Sequence, residues 1–179
     1  ARVAAEAANY APGDPLNPRT VMGALVDETQ MRTVLGYIDA GRAEGARCIA
    51  GGGQARVETG GYFVEPTVFD GVTNRMKIAR EEIFGPVIGI LRFKDEAEAI
   101  AIANDSPYGL QASVWSDQLS RAHRVARALR AGTVHVNQYD EDDITVPFGG
   151  FKQSGNGRDK SLHAFDKYTE LKTTWIRID

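Results

Sequence analysis

Residues 81–103 read EEIFGPVIGILRFKDEAEAIAIA, and they hold one complete unit of an alternating design. The acidic pair Glu81-Glu82 precedes Gly85-Pro86, a dipeptide that forces a fixed turn. Val87 to Phe93 follows as an apolar run with β-branched residues, the composition of a buried parallel strand. Asp95 with Glu98 three residues later forms a capping box, which predicts a helix running through about Ala103.

The alternation continues in both directions. Upstream, Asp27 with Gln30 forms another capping box, Met31, Val34, Leu35 and Ile38 recur at helical spacing, and Gly45 supplies a stop. Ala46 to Ala50 reads as a short strand running into Gly51 to Gly53. Tyr62 to Phe69 is extended but interrupted by Pro66, which predicts an edge strand. Downstream, Gln111 to Trp115 is a strand, Leu119, Ala122, Ala126 and Leu129 line a helix ending at Gly132, and Val134 and Val136 mark the next strand. An Ala-rich helical run (Ala1 to Tyr10) and a Pro- and Gly-rich loop (Ala11 to Thr20) open the chain. Strands alternating with helices predict an α/β architecture, a mostly parallel sheet with crossover helices.

The tail departs from this design. Lys160 to Lys167 is predicted as a short helix and Tyr168 to Ile178 as a β-rich ribbon. A long terminal strand containing Thr173, Thr174, Trp175 and Ile176 is an exposed edge unless something pairs with it. It is therefore expected to be an oligomerisation strand within a homo-oligomer.

Bulk properties narrow the function classes. With 179 residues, 42% hydrophobic and 25% charged, the chain can bury a sizeable core. A net charge of −3 from interleaved acids and bases argues against a nucleic-acid or polybasic membrane surface. No run approaches the ~18 apolar residues of a membrane span. One cysteine, Cys48, excludes an intrachain disulfide framework and suits a reducing cytoplasm. The start at Ala1, without Met and inside a helical run, leads us to expect further polypeptide upstream.

Two segments stand out chemically. Glu81 to Val87 sets two carboxylates before a turn and an apolar strand; read alone, this is a solvated acidic corner. Pro147-Phe148-Gly149-Gly150-Phe151-Lys152-Gln153-Ser154-Gly155 is dense in glycine, which permits positive φ and close backbone approach. It lacks the Gly-Lys-Ser/Thr of a phosphate-binding P-loop. Read alone, it is a structural loop.

Together, in this order and separation, these runs resemble the aldehyde dehydrogenase family. The resemblance spans essentially the whole chain and includes Gly13 to Leu16, Met22-Gly23, Leu35 to Ile38, Gly61 to Val68, Tyr108 to Leu110 and Ala131 to Val134. It implies that residues 1–158 are the C-terminal part of the family's catalytic domain and that 159–179 are a helix and oligomerisation strand. It also implies NAD or NADP as cofactor. The carboxylate matching Glu82 is the one expected on the nicotinamide ribose hydroxyls, two donors suited to an ionised acceptor. Phe84 matches the ring packed near the nicotinamide, where a flat apolar side chain helps place the cofactor. Gln30 matches a polar contact on the cofactor side, although the capping box also accounts for it.

Phe148 matches an aromatic residue lining the aldehyde channel. The preceding acidic loop, with Asp140, Glu141, Asp142 and Asp143, is expected to shape substrate choice or else to be a solvated surface loop. Facing substrate, it favours a cationic amino-aldehyde. The run from Val146 through Trp175 resembles family members of polyamine catabolism. The family's chemistry runs through a cysteine thiolate, hydride transfer to nicotinamide, a glutamate that activates water, and thioester hydrolysis. Cys48, in Ala-Arg-Cys-Ile-Ala, reads instead as a packed strand residue. The nucleophile and most of the cofactor cradle are expected upstream of Ala1, so this chain alone is expected to be inactive. The alternative reading is a non-catalytic oligomerisation or binding module. His123, His135 and His163 lie on separate elements, and no metal site is expected.

Overall fold

The first residues wind as helix α1 (Arg2–Ala7) and a 3-10 turn (Ala8–Tyr10) in a computed structural model that describes residues 2–139 and 143–179. Contacts group the chain into two units, Ala1–Phe93 and Lys94–Asp179.

In the first unit, helix α2 (Glu28–Ala43) opens as its cap predicts, with the Gln30 N–H donating to Asp27 Oδ1 at 2.7 Å. Its apolar positions Met31, Val34 and Ile38 are buried together with Gly41. Gly41 is packed so closely that a Cβ there would meet Phe69 Cζ at 3.2 Å. Strands β1 (Arg47–Ala50), β2 (Gln54–Ala55), β3 (Phe63–Val64) and β4 (Thr67–Asp70) follow, then the short helix α3 (Lys77–Arg80) and β5 (Val87–Ile90). β1, β4 and β5 form one sheet in that order, and β2 pairs with β3.

Two expectations change here. The segment from Tyr62 to Phe69 is not one edge strand: it divides at Glu65-Pro66, and its second half becomes β4, the central strand with all four residues buried. Pro66 stands just before the ladder, so its missing N–H costs no bond. The next N–H, of Thr67, donates to Pro86 O at 2.8 Å. Conversely β5, expected to be buried, is an edge within the described residues, and Ile88 is 56% exposed.

The buried Asp70 carboxylate, at the end of β4, accepts from Arg92 at 2.8 Å and Arg47 at 2.5 Å. Charge-assisted bonds from Arg92 and then Arg47 lower its pKa to about 2, against the smaller opposing effect of burial.

The second unit begins with Asp95 capping α4 (Glu96–Asn104), its Oδ1 accepting from Glu98 N at 2.9 Å while Glu98 Oε2 accepts from Lys94 N at 2.6 Å. Next come β6 (Tyr108–Gly109), β7 (Gln111–Val114), α5 (Leu119–Ala128), β8 (Thr133–Val136) and β9 (Phe151–Lys152). Arg124 binds Glu96 in bidentate fashion at 3.0 and 2.9 Å, joining α5 to α4. β7 pairs with β8 in parallel and β6 with β9 in antiparallel.

The mostly parallel sheet is thus replaced by a mixed α/β arrangement of small sheets. β4·β5 and β7·β8 are parallel; β1·β4, β2·β3 and β6·β9 are antiparallel. The physical rule survives at each junction. Both parallel pairs are joined across a helix, α3 or α5, whereas β1 reaches β4 through the β2–β3 pair and returns antiparallel. The predicted helix at the tail is a 3-10 segment (Leu162–Lys167). The expected ribbon of residues 168–178 forms no ladder with other described residues, and Leu171, Trp175 and Ile178 are fully exposed or nearly so. No described helix is long and apolar enough to cross a membrane.

Candidate functional site

The Glu81–Pro86 turn is built by α2 and α3 together. Glu44 Oε2 accepts from Lys77 N at 2.7 Å, which anchors the start of α3. That short helix then delivers Glu81 and Glu82 side by side, and their surroundings separate them. The Tyr37 hydroxyl donates to Glu81 Oε2 at 2.7 Å, and the Lys77 ammonium lies 4.0 Å from the same oxygen. Glu82 is exposed and makes no hydrogen bond or ion pair with another described residue. Of the two acids, Glu82 is the one whose carboxylate remains available to a ligand.

Ile83 packs against the buried cluster around Val34 and Phe69. Phe84 turns outward, 71% exposed, in the left-handed region at φ 50°. That backbone is uncommon for a bulky L-residue and is characteristic of strained functional turns. Gly85 must be glycine for a steric reason, since a Cβ there would sit 2.5 Å from Val34 Cγ2. Gln30 closes the turn from α2: its Nε2 donates to Ile83 O and Phe84 O, each at 3.0 Å. The structure therefore ties Gln30 to the backbone of Phe84, two residues after Glu82. Gly85 and Pro86 also line an open, largely apolar cavity of about 620 Å3, with Val3, Tyr10, Met22 and Ile88.

Phe148 lies in the second unit. Its N–H donates to Asp159 O at 2.8 Å and its carbonyl accepts from Asp159 N at 2.6 Å, with the Lys160 ammonium 5.5 Å from the ring centroid. The glycine-dense run that follows is a packed knot. Arg158 Nη1 donates to Gly150 O at 3.1 Å, and the Phe151 ring has the Arg130 and Arg158 guanidinium carbons 5.4 and 5.2 Å from its centroid. Lys152 Nζ donates to Asn104 O and Ser106 O, 2.9 Å each, and so covers carbonyls at the end of α4. The role of Lys152 has no signal in the sequence, because its partners lie 46 and 48 residues away. Asp140, Glu141 and Asp142 lie outside the described residues. Asp143, next to them, accepts from Thr145 N and Oγ1 at 2.7 Å each, and these bonds lower its pKa.

Cys48 is half-buried on β1 and packs against the core, with Sγ 3.4 Å from Ala50 O. Its place on a strand packed against the core is as the sequence predicts. His135 is buried on β8, His123 is exposed on α5, and His163 contacts Asp166 at 3.2 Å. Among the described residues, no three His, Cys, Asp or Glu side chains are grouped as metal ligands.

Residues 1–174 match the aldehyde dehydrogenase family model, and the chain belongs to that family. It is 49% identical over 174 residues to the NADP/NAD-dependent aldehyde dehydrogenase PuuC of Escherichia coli, covering 97% of this chain and 34% of that protein. It is 50% identical over 165 residues to a betaine aldehyde dehydrogenase of Sinorhizobium fredii, covering 92% of this chain and 34% of the relative. Among solved structures, an indole-3-acetaldehyde dehydrogenase in complex with NAD+ superposes with a TM-score of 0.94 at 65% identity, over 98% of this chain and 36% of the other. The γ-glutamyl-γ-aminobutyraldehyde dehydrogenase of Burkholderia cenocepacia gives 0.90 at 60% identity, over 95% and 34%. The chain spans about a third of the length of the curated relatives it matches.

Proposed function

We propose that this chain forms the nicotinamide-positioning and aldehyde-channel part of an NAD(P)-dependent aldehyde dehydrogenase that oxidises an aldehyde to a carboxylic acid. The carrying observation is the Glu81–Gly85 turn, which commits Glu81 to Tyr37 while leaving Glu82 and, two residues on, the Phe84 ring exposed. A carboxylate acceptor next to a flat apolar ring fits a dinucleotide's ribose hydroxyls and nicotinamide. NAD or NADP supplies the hydride acceptor when bound; this chain's part is to hold and orient it. Glu82 and Phe84 are the holding residues, with Gln30 behind them. Cys48 takes no part, and the nucleophilic cysteine belongs to upstream polypeptide of the longer protein, so the segment alone is inactive.

We infer that Phe148 belongs to the aldehyde channel and that the negative charge of Asp140, Glu141 and Asp142 favours a cationic amino-aldehyde of polyamine catabolism. A relative named for betaine aldehyde, whose quaternary ammonium is cationic, supports the charge argument, and a cytoplasmic setting accords with it. In the full-length enzyme, NAD reduction with 4-aminobutanal is expected to proceed with kcat/KM at least tenfold above that with butanal. Equal values would remove the charge argument.

We further propose that residues 159–179 form the assembly segment. Leu171, Trp175, Ile176 and Ile178 are between 79% and 105% exposed, more apolar surface than a lone extended tail would keep in water. Deleting residues 172–179 from the full-length protein is expected to shift its sedimentation to smaller species. An unchanged distribution would end this reading.

A further inference from the structure

Ile83 O and Phe84 O sit in a turn, outside any strand ladder, so no neighbouring strand supplies their donors. Both find the same one. The half-buried Gln30 carboxamide reaches across from α2 and gives Nε2–H bonds of 3.0 Å to each carbonyl. A carboxamide nitrogen carries two hydrogens, so its donor capacity matches the two acceptors. The two carbonyls also decide which end of the amide points here, since an amide oxygen facing them would be repelled. The Gln30 backbone N–H is separately engaged by Asp27 Oδ1 at 2.7 Å, so the helix cap does not depend on the side chain.

What the carboxamide holds is the least favourable backbone of the turn. Phe84 has φ 50°, and its ring gains little burial that could offset the cost, being 71% exposed. The next residue is wedged against Val34. Such a conformation persists only where its surroundings over-determine it, and Gln30 supplies two of the bonds that do so.

We propose that Gln30 is a positioning residue: it locks the carbonyls of Ile83 and Phe84 and thereby fixes the presentation of the Phe84 ring to the nicotinamide end of the cofactor. The inference rests on the reading of Glu82 and Phe84 as the cofactor wall. Gln30 acts through the turn's backbone, with no contact to cofactor required. Its effect therefore falls on the orientation needed for hydride transfer more than on affinity.

The test uses the full-length enzyme with Gln30→Met, which keeps the length and removes the donors, and Gln30→Glu, which sets a carboxylate against the two carbonyls. Both are expected to lower kcat about tenfold or more, with the KM for NAD changed less than threefold. The primary deuterium isotope effect with 1-deuterated aldehyde should rise as hydride transfer becomes slower than the other steps. A raised KM for NAD with unchanged kcat and isotope effect would assign Gln30 to direct cofactor contact and overturn the proposal. Unchanged kinetics would overturn it as well. Phe84→Leu and Glu82→Gln separate the two levels of inference. If they impair the enzyme and the Gln30 variants do not, only the positioning role fails; if they too are silent, the cofactor wall itself is wrong. A crystal structure of the Gln30→Met variant gives a readout independent of activity. Phe84 is expected to leave the left-handed region, and a φ still near 50° would count against the lock.

Discussion

Replacing Glu82 with Ala in the full-length enzyme is expected to raise the KM for NAD by roughly 10- to 100-fold, with little change in thermal stability. Each hydrogen bond from a ribose hydroxyl to an ionised carboxylate is worth about 1.5–3 kcal/mol when its charged partner is removed. A loss of 1.4 kcal/mol is about tenfold in affinity. Stability should not follow, because the exposed Glu82 side chain contributes no bond to the described structure. Its neighbour provides the contrast. Glu81 is tied to Tyr37 and lies near Lys77, so Glu81→Gln should cost at most about 1 kcal/mol of stability, as for other exposed pairs, and leave the NAD kinetics unchanged. If Glu82→Ala shows wild-type KM and turnover, or if Glu81→Gln produces the larger kinetic effect, the assignment of the ribose-binding acid is lost.

Gly132→Ala is expected to be the most damaging of the small substitutions. A Cβ at Gly132 would lie 1.7 Å from Gly149 O and 2.8 Å from Gly149 C. Both are backbone atoms, so no side-chain rotation relieves the clash and one strand of chain must move. Gly132 N also donates to Gly109 O at 3.0 Å at the entrance to β8, and Gly149 directly follows Phe148. Overpacking of this kind costs about 1–3 kcal/mol, occasionally more, and this contact belongs at or above the upper limit. In differential scanning fluorimetry of the full-length protein, about three times this length, the melting temperature should fall by roughly 3 °C or more. The KM for aldehyde should rise with it, because the displaced segment carries Phe148. Gly36→Ala makes the control. It sits on the exposed side of α2 with nothing within 4 Å of its would-be Cβ, and a helical Gly→Ala change gains about 0.5–1 kcal/mol. Equal melting temperatures for the two variants would refute the close approach of residues 132 and 149.

The two substitutions mark where local pattern stops being informative. The caps at Asp27 and Asp95 form as read, because the groups involved are three residues apart and their geometry is set by the helix start alone. The run from Tyr62 to Phe69 reads as an edge yet supplies a central strand, because a proline within an apolar run does not reveal whether it stands inside the ladder or one residue before it. Sheet direction was misjudged for a related reason. Helix-linked pairs came out parallel as expected, but the β2–β3 detour between β1 and β4 is too short to register as a pattern.

The linear order of residues was enough to identify the family, to bring forward Glu82 and Phe84 as candidates and to place Cys48 on a strand, since each depends on residue types at short, recurring spacing. Only the folded chain could tell Glu81 from Glu82, assign Gln30's amide to Ile83 and Phe84, and show Lys152 covering the end of α4. These are contacts across 44 to 54 residues. A hydrogen bond acts over about 3 Å, so its partners are chosen by where the backbone brings them and leave no period in the sequence to read.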